Sequence, residues 1–413
     1  MLKRLIAALV AASSAALAAG SSQAQGPAKE GPIKVGFMTV RSGALAAGGR
    51  QMEEGLQLCI DQRGGSIGGR KVEVITADTA GQPALTKTKA QELVERDKVD
   101  ALIGPLAAFE ALAIDDYIRQ AKIPIISPSA AAEDLTQRKP NPWFVRAVGT
   151  SAQAHHPLAE YAAKELGYKK IAIIADDFAF GHEIAAGFQR VFEENGGKIV
   201  QKLWPPLNTA DYGSYVTQLD PGVDAVFAAF AGGNGIKFLG QYKNYGSTKP
   251  VIGAMTTVDE GVLKSMGSEA VGVISAGWYS AAIQTPANAK FVEAIRAKYK
   301  ADPGYYTVGA YMACEFLANA VEQLKGKVDD KDALIKALRE VKITESPYGP
   351  VKIDEYGQPL MDITIRKVEQ KDGRLRNVVL KTYPAVSQFW TWKPDVFLKS
   401  AVYSRGNPEP IAR

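Results

Sequence analysis

The chain has 413 residues, 46% of them hydrophobic and 23% charged. That is the profile of a globular protein with a real interior, and it is too long for a single core. The net charge of +5 is spread along the chain with no Lys/Arg block, so nucleic-acid binding has no electrostatic footprint.

In chain order, Lys3 and Arg4 precede an apolar, Ala- and Leu-rich stretch from Leu5 to Ala19, and Ser22-Gln23-Ala24 offers small residues at a cleavage site. This reads as a signal peptide over 1–24 and places the mature protein in the periplasm. No Cys follows the apolar run, which argues against a lipid anchor. No later segment reaches the roughly 18–20 apolar residues that span a bilayer.

Short β-branched runs then alternate with amphipathic stretches. Strands are expected at Ile33–Val40, Lys71–Asp78, Ala101–Gly104 and Ile123–Ser127, then at Lys170–Asp176, Ala225–Phe230, Val251–Met255 and Val273–Tyr279. Helices fit between them at Ala46–Arg63, Pro83–Arg96, Ala108–Ala121, Ala154–Leu166, His182–Asn195 and Gly235–Tyr245. Near-continuously apolar strands alternating with helices predict parallel sheets covered on both faces. The rhythm breaks at Asn141-Pro142-Trp143 and restarts at Lys169. The fold class is therefore α/β, with two doubly wound, Rossmann-like units in tandem. Three further helices follow, at Ala287–Lys300, Thr307–Lys325 and Asp330–Val341. Next comes a hairpin of Asp362–Lys367 and Leu375–Thr382, turning at Lys371-Asp372-Gly373. The tail carries Phe389, Trp390, Trp392, Phe397 and Tyr403, too many aromatics for a solvated end. Cys59 and Cys314 read as two separate buried thiols, although this compartment permits a disulfide.

Enzyme signatures are missing. The turn after the first strand, Arg41 to Gly49, lacks the G-x-G-x-x-G spacing, and neither a phosphate loop nor a G-x-S-x-G elbow occurs. The three histidines are His155, His156 and His182; adjacent helix residues point about 100° apart, so the first two cannot chelate one metal, and they read as a solvated helix start. Asp176-Asp177 and Asp259-Glu260 sit at strand ends, where capping the next helix is their expected role. No catalytic residue, metal or cofactor is expected.

What the chain does offer is six strand-to-helix turns of small residues: Thr39–Gly49, Gly104–Glu110, Ser127–Glu133, Asp176–Gly181, Ala229–Asn234 and Gly253–Val258. Ligands of open parallel sheets bind outside the carboxyl ends of the strands, where helix N-termini present N–H groups. Two facing units would line one cleft with all six turns.

Several of these segments carry a resemblance. Ile33-Lys34-Val35-Gly36, Ser42-Gly43 with Gly48-Gly49, and Gly64-Gly65-Ser66-Ile67-Gly68-Gly69-Arg70 resemble the leucine/isoleucine/valine-binding proteins. So do Ile103-Gly104-Pro105, Ile126-Ser127-Pro128-Ser129, Asp177-x-x-Phe180-Gly181 and Ala310-Tyr311, in order over nearly all of the mature chain. The resemblance implies a type I periplasmic binding protein, which serves an ABC importer by closing about a three-crossover hinge. One lobe would hold 32–147 plus 277–352. The other would hold 148–276 plus 353–413, with the hairpin and aromatic tail. Permease subunits would be its partners, and the protein would act as a monomer.

Carried over position by position, the resemblance implies an altered pocket. The serine that holds a ligand carboxylate falls on Ala108, and the hydroxyl of the third turn on Ala131, near Ser129. The acid that meets an ammonium falls on Met255. Aromatic clamp positions fall on Phe180 and on Ala231 beside Phe230, a lid position on Gly48, and a pocket aromatic on Tyr306. An ammonium buried without a carboxylate costs several kcal/mol, so such a site should reject zwitterions. Backbone N–H groups at Ala108, Ser129 and Ala131, and the guanidinium of Arg41, would suit an anionic head. Phe180, Phe230, Met255 and Tyr306 would suit an aromatic body. The resemblance reaches relatives that take lignin-derived aromatic acids, so a hydroxybenzoate or hydroxycinnamate is the expected ligand. A branched-chain amino acid or amide, and a periplasmic sensor role, remain alternatives.

Overall fold

The computed structural model describes residues 31–406, and the signal peptide expected over 1–24 lies outside them. Among the described residues the strands form two sheets. The first has six strands, in the order Ser66–Ile67, Arg70–Asp78, Ile33–Thr39, Ala101–Ile103, Ile125–Ser127 and Phe144–Arg146. All its neighbours run parallel except the first pair, which is a short antiparallel edge. Ile33, Val35, Phe37, Leu102, Ile103 and Ile126 are buried because helices cover both faces, which is why these strands read as unbroken apolar runs.

The second sheet has nine strands. Its parallel part runs Lys198–Leu203, Lys170–Ala175, Ala225–Ala229, Val251–Gly253 and Ile274–Gly277. Beyond Ile274–Gly277 the sheet turns antiparallel through Pro359–Lys371, which pairs with Arg374–Val386 and, near its start, with Val351–Ile353. The long hairpin closes on Asp372 and Gly373, both at positive φ, as a two-residue type I′ turn requires.

Phe144–Arg146 and Lys198–Leu203 were not expected as strands. The first is only three residues long and follows the Pro142 break. The second is a half-buried edge carrying Lys198 and Lys202, so it lacks the apolar signature of a central strand. The chain crosses between the sheets after Arg146, again after Gly277, and a third time between the helix Lys331–Arg339 and Pro359. The helices Pro286–Tyr299 and Tyr305–Gln323 pack back onto Ala46–Gln62 of the first layer.

Two expectations are corrected here. Cys59 and Cys314 are joined in a disulfide, with Cα atoms 6.3 Å apart, and are not separate thiols. They sit on Ala46–Gln62 and Tyr305–Gln323, whose axes are brought together by Gly55: a Cβ there would fall 2.0 Å from the carbonyl oxygen of Thr307. His155 and His156 are fully buried rather than solvated. Their helix, His155–Lys164, starts where the chain first crosses between the sheets, so its first turn is enclosed from both sides. No helix among the described residues is long and apolar enough to cross a membrane.

Candidate functional site

The carboxyl ends of the parallel strands of both sheets face one another, and the turns that follow them meet. The Gly233 N–H points at the Ala44 carbonyl (3.5 Å), and the Glu133 N–H donates to Glu183 Oε1 (3.2 Å). The Tyr305 N–H donates to Asp259 Oδ1 (2.6 Å), while the Tyr305 hydroxyl donates to the Ser129 carbonyl (2.6 Å). At the lip, the Phe109 ring from the first layer lies edge-on to Phe178 of the second at 5.6 Å, and Phe178 stacks on Phe180 at 5.8 Å.

Most of the residues singled out from sequence gather along this junction. Gly48 is buried against Tyr306: a Cβ on Gly48 would lie 2.9 Å from the tyrosine ring, so the small lid residue makes room for the aromatic. Ala108 opens the helix Ala108–Ala121 and is buried; Glu110 closes that turn by accepting the Ala107 N–H at 2.9 Å. The Ser129 hydroxyl donates to the Leu106 carbonyl (2.8 Å). Ala131 lies toward the first crossing, its carbonyl accepting from the Ser151 N–H (2.8 Å) and hydroxyl (3.0 Å). Phe180 is buried at the start of Ala179–Glu194.

Met255 is held by its main chain. Its N–H donates to His155 Nε2 (3.2 Å), and its carbonyl accepts from Arg366 Nη2 (3.0 Å). His155 Nδ1 donates to the Ser151 carbonyl (2.6 Å), which fixes the tautomer, and burial drives its pKa down to about 3, so the ring is neutral.

Two expected residues lie elsewhere. Arg41 is a solvent-side charge, 53% exposed and paired with Glu53 at 2.7 Å, and does not reach the junction. Phe230 belongs to the core of the second layer, against Tyr212 (5.3 Å) and Phe238 (4.7 Å). Both residues follow the strand Ala225–Ala229, and Ala231 falls in the other buried cluster, the one that includes Gly48's neighbour Tyr306.

The strand-end acids also depart from simple capping. Asp259 does cap Glu260–Leu263 through the Gly261 N–H (3.0 Å), but it also takes Tyr305 from across the junction. Asp176 accepts the Ala231 N–H (2.8 Å) and Asn234 Nδ2 (2.9 Å) from the adjoining turn. Burial pushes the Asp176 carboxyl up to about 7, and burial together with the neighbouring Glu260 charge raises that of Asp259.

Sequence reasoning missed Phe109, Phe178 and Tyr305. Phe109 and Phe178 lie within two of the strand-to-helix turns, Gly104–Glu110 and Asp176–Gly181, whereas Tyr305 opens the helix Tyr305–Gln323 and follows another helix.

A family model described as periplasmic binding protein matches residues 32–374. The chain belongs to that family. Leu/Ile/Val-binding protein homolog 6 of Brucella melitensis is 30% identical over 363 residues, which is 85% of this chain and 91% of the relative. A solute binding protein of an ABC transporter from Rhodopseudomonas palustris BisB5, solved with 3,4-dihydroxybenzoic acid, is 35% identical with a TM-score of 0.83, covering 86% of this chain and 98% of that one. A second R. palustris solute binding protein, solved with 4-hydroxybenzoate, is 29% identical with a TM-score of 0.81, covering 87% and 98%. The two facing α/β lobes are thus a type I periplasmic binding fold. The protein is a solute-binding component of an ABC transporter, a periplasmic family of transport proteins rather than enzymes that works with permease subunits.

Proposed function

We propose that this periplasmic binding protein traps an aromatic monocarboxylate, a hydroxybenzoate or hydroxycinnamate, between its lobes for ABC import. The observation that carries the reading is the aromatic surround of the cleft. Tyr306 is tucked over Gly48, and Phe180, Phe178 and Phe109 close the lip, a lining suited to a flat apolar ring. Gly48, Ala108, Ser129, Ala131, Phe180, Ala231, Met255 and Tyr306 would line or border it. Arg41 and Phe230 are left out of this set.

The acids support the same choice of ligand. Asp176 and Asp259 already accept main-chain N–H groups and are pushed toward neutrality, so neither is a ready counter-ion for an ammonium. The dihydroxybenzoate and hydroxybenzoate complexes of the two R. palustris proteins point the same way. The name of the Brucella relative favours a second reading, a branched-chain amino acid. In our reading the lobes are 32–147 with 277–352 and 148–276 with 353–413. The monomer closes about the crossings, and the leader over 1–24 is removed on export. A thermal-shift screen of benzoates and cinnamates against amino acids tests the ligand class, because a ligand of the folded form raises stability by RT ln(1 + [L]/Kd).

A further inference from the structure

Residues 387–406 follow the last long strand and lie beyond the part matched by the family model. Segments that trail from the last strand of a domain are ordinarily loosely held unless something ties them down. This one buries Phe389, Trp392, Phe397 and Tyr403. Its partners come from both layers. On the first-sheet side, the connection between Ile125–Ser127 and Phe144–Arg146 supplies Thr136 and Arg138. The Thr136 hydroxyl donates to Gln388 Oε1 (3.1 Å), and Gln388 Nε2 donates back to the Thr136 carbonyl (3.0 Å). Arg138 Nη2 donates to the Ser400 carbonyl (2.9 Å), and its guanidinium lies over the Phe397 ring at 5.6 Å. On the second-sheet side, the Tyr403 hydroxyl is hydrogen-bonded to His156 Nε2 (2.8 Å), and the Arg190 guanidinium stands 4.5 Å from the Tyr403 ring centre. Arg405 reaches Asp177, at the head of the cleft turn that carries Phe178 and Phe180, at 3.5 Å.

We propose that residues 387–406 form a strap across the lobe junction, with Gln388 and Arg138 as positioning residues that hold the lobes at the angle bringing Phe109 against Phe178. The strap rests on the lobed closure read above, and not on the identity of the ligand. Gln388 and Thr136 exchange two buried hydrogen bonds, and Arg138 closes the end of the short helix Pro394–Lys399. Rotating the lobes apart must break these contacts or peel the tail from His156 and Arg190. The strap therefore biases the population toward closure, and apparent affinity scales with the closed, competent fraction.

The test uses the full mature chain with spin labels on two introduced cysteines, Leu112→Cys and Val271→Cys; both positions are exposed, one in each layer, and the native pair Cys59–Cys314 is already oxidised. Distances are measured by pulsed electron paramagnetic resonance without ligand, in the parent and in Arg138→Ala/Gln388→Ala. The strap predicts a shift of the distribution to longer distances in the double variant, and a partial shift in Arg138→Lys, which keeps the charge but loses the fork. Release of 3,4-dihydroxybenzoate, used as the probe, should quicken about tenfold, with its association rate within about twofold. Should the double variant fail to fold, Arg138→Lys alone decides by the same distances. Unchanged distances in the folded variants overturn the strap. Absence of benzoate binding by the parent refutes only the ligand reading, since the distances are taken without it.

Discussion

The Phe109 and Phe178 rings meet edge to face at 5.6 Å, although one belongs to the helix after Ala101–Ile103 in the first sheet and the other to the turn after Lys170–Ala175 in the second. Each is partly buried, and the contact exists only while the lobes face each other as they do here. Aromatic pairs of this kind contribute about 0.5–1.5 kcal/mol beyond area burial. Phe178→Ala should therefore raise the ligand dissociation rate by roughly 3- to 10-fold, while leaving the melting temperature of the free protein within about 2 °C. Stopped-flow release and thermal unfolding of the variant check both halves.

The Cys59–Cys314 bridge ties Ala46–Gln62 to Tyr305–Gln323, the helices whose first turns carry Gly48 and Tyr306. Cross-links that close long loops typically add about 2–5 kcal/mol. Reduction, or the double Cys→Ala variant, should lower the melting temperature by several degrees and weaken ligand binding, because Tyr306 loses its fixed height over Gly48. Thiol titration of the denatured protein should find no free thiol before reduction and two after it.

Asp176 provides a pH test. Burial raises its folded-state pKa to about 7 from an ordinary 3.8, opposed by the hydrogen bonds from Ala231 and Asn234 and by the charge of Lys237. A raised acid pKa means that the folded state holds the proton more tightly. Its contribution is complete below about pH 4 and is lost as pH rises toward 7. Asp176→Asn keeps the neutral form at every pH, so its stability relative to the parent should grow by about 2–4 kcal/mol between pH 4 and pH 8. His155 and His156 titrate equally in both proteins and cancel from the comparison. Denaturant melts at the two pH values decide it, and an unchanged difference would place Asp176 in a better-solvated site.

Arg41→Ala should change ligand affinity by less than about 0.5 kcal/mol, because the guanidinium is half exposed and paired with Glu53. A loss of 1.5 kcal/mol or more by calorimetry would return Arg41 to the cleft.

Phe397 is fully buried between Phe389, Trp392 and Tyr403. Phe397→Ala should cost about 3–5 kcal/mol of stability, read as a lower denaturant midpoint.

The sequence carried the fold well wherever burial was two-sided. Ile33–Thr39, Lys170–Ala175 and Ala225–Ala229 announce themselves because parallel strands under two helix layers admit only apolar side chains. The edge strand Lys198–Leu203 did not, since one flank meets solvent and tolerates lysines. Pairing of Cys59 with Cys314 left no local trace, because it depends on two helices packing 255 positions apart. His155 looked solvated because a helix's first turn usually is; its burial comes from the chain crossing between sheets at that point. Phe230 and Ala231 look equivalent in sequence, but the first packs into the core of the second layer and the second into the cluster with Tyr306. Gly48 with Tyr306 was legible as two separate positions, but their contact was not.

We propose that the cleft holds an aromatic acid and refuses a zwitterion, because Asp176 and Asp259 are engaged by main-chain donors and Met255 offers no charge. Isothermal titration of the mature protein with 3,4-dihydroxybenzoate, 4-hydroxybenzoate and leucine tests it directly. Saturable binding of at least one benzoate, with no heat from leucine, is the predicted result. Tight binding of leucine would contradict the account.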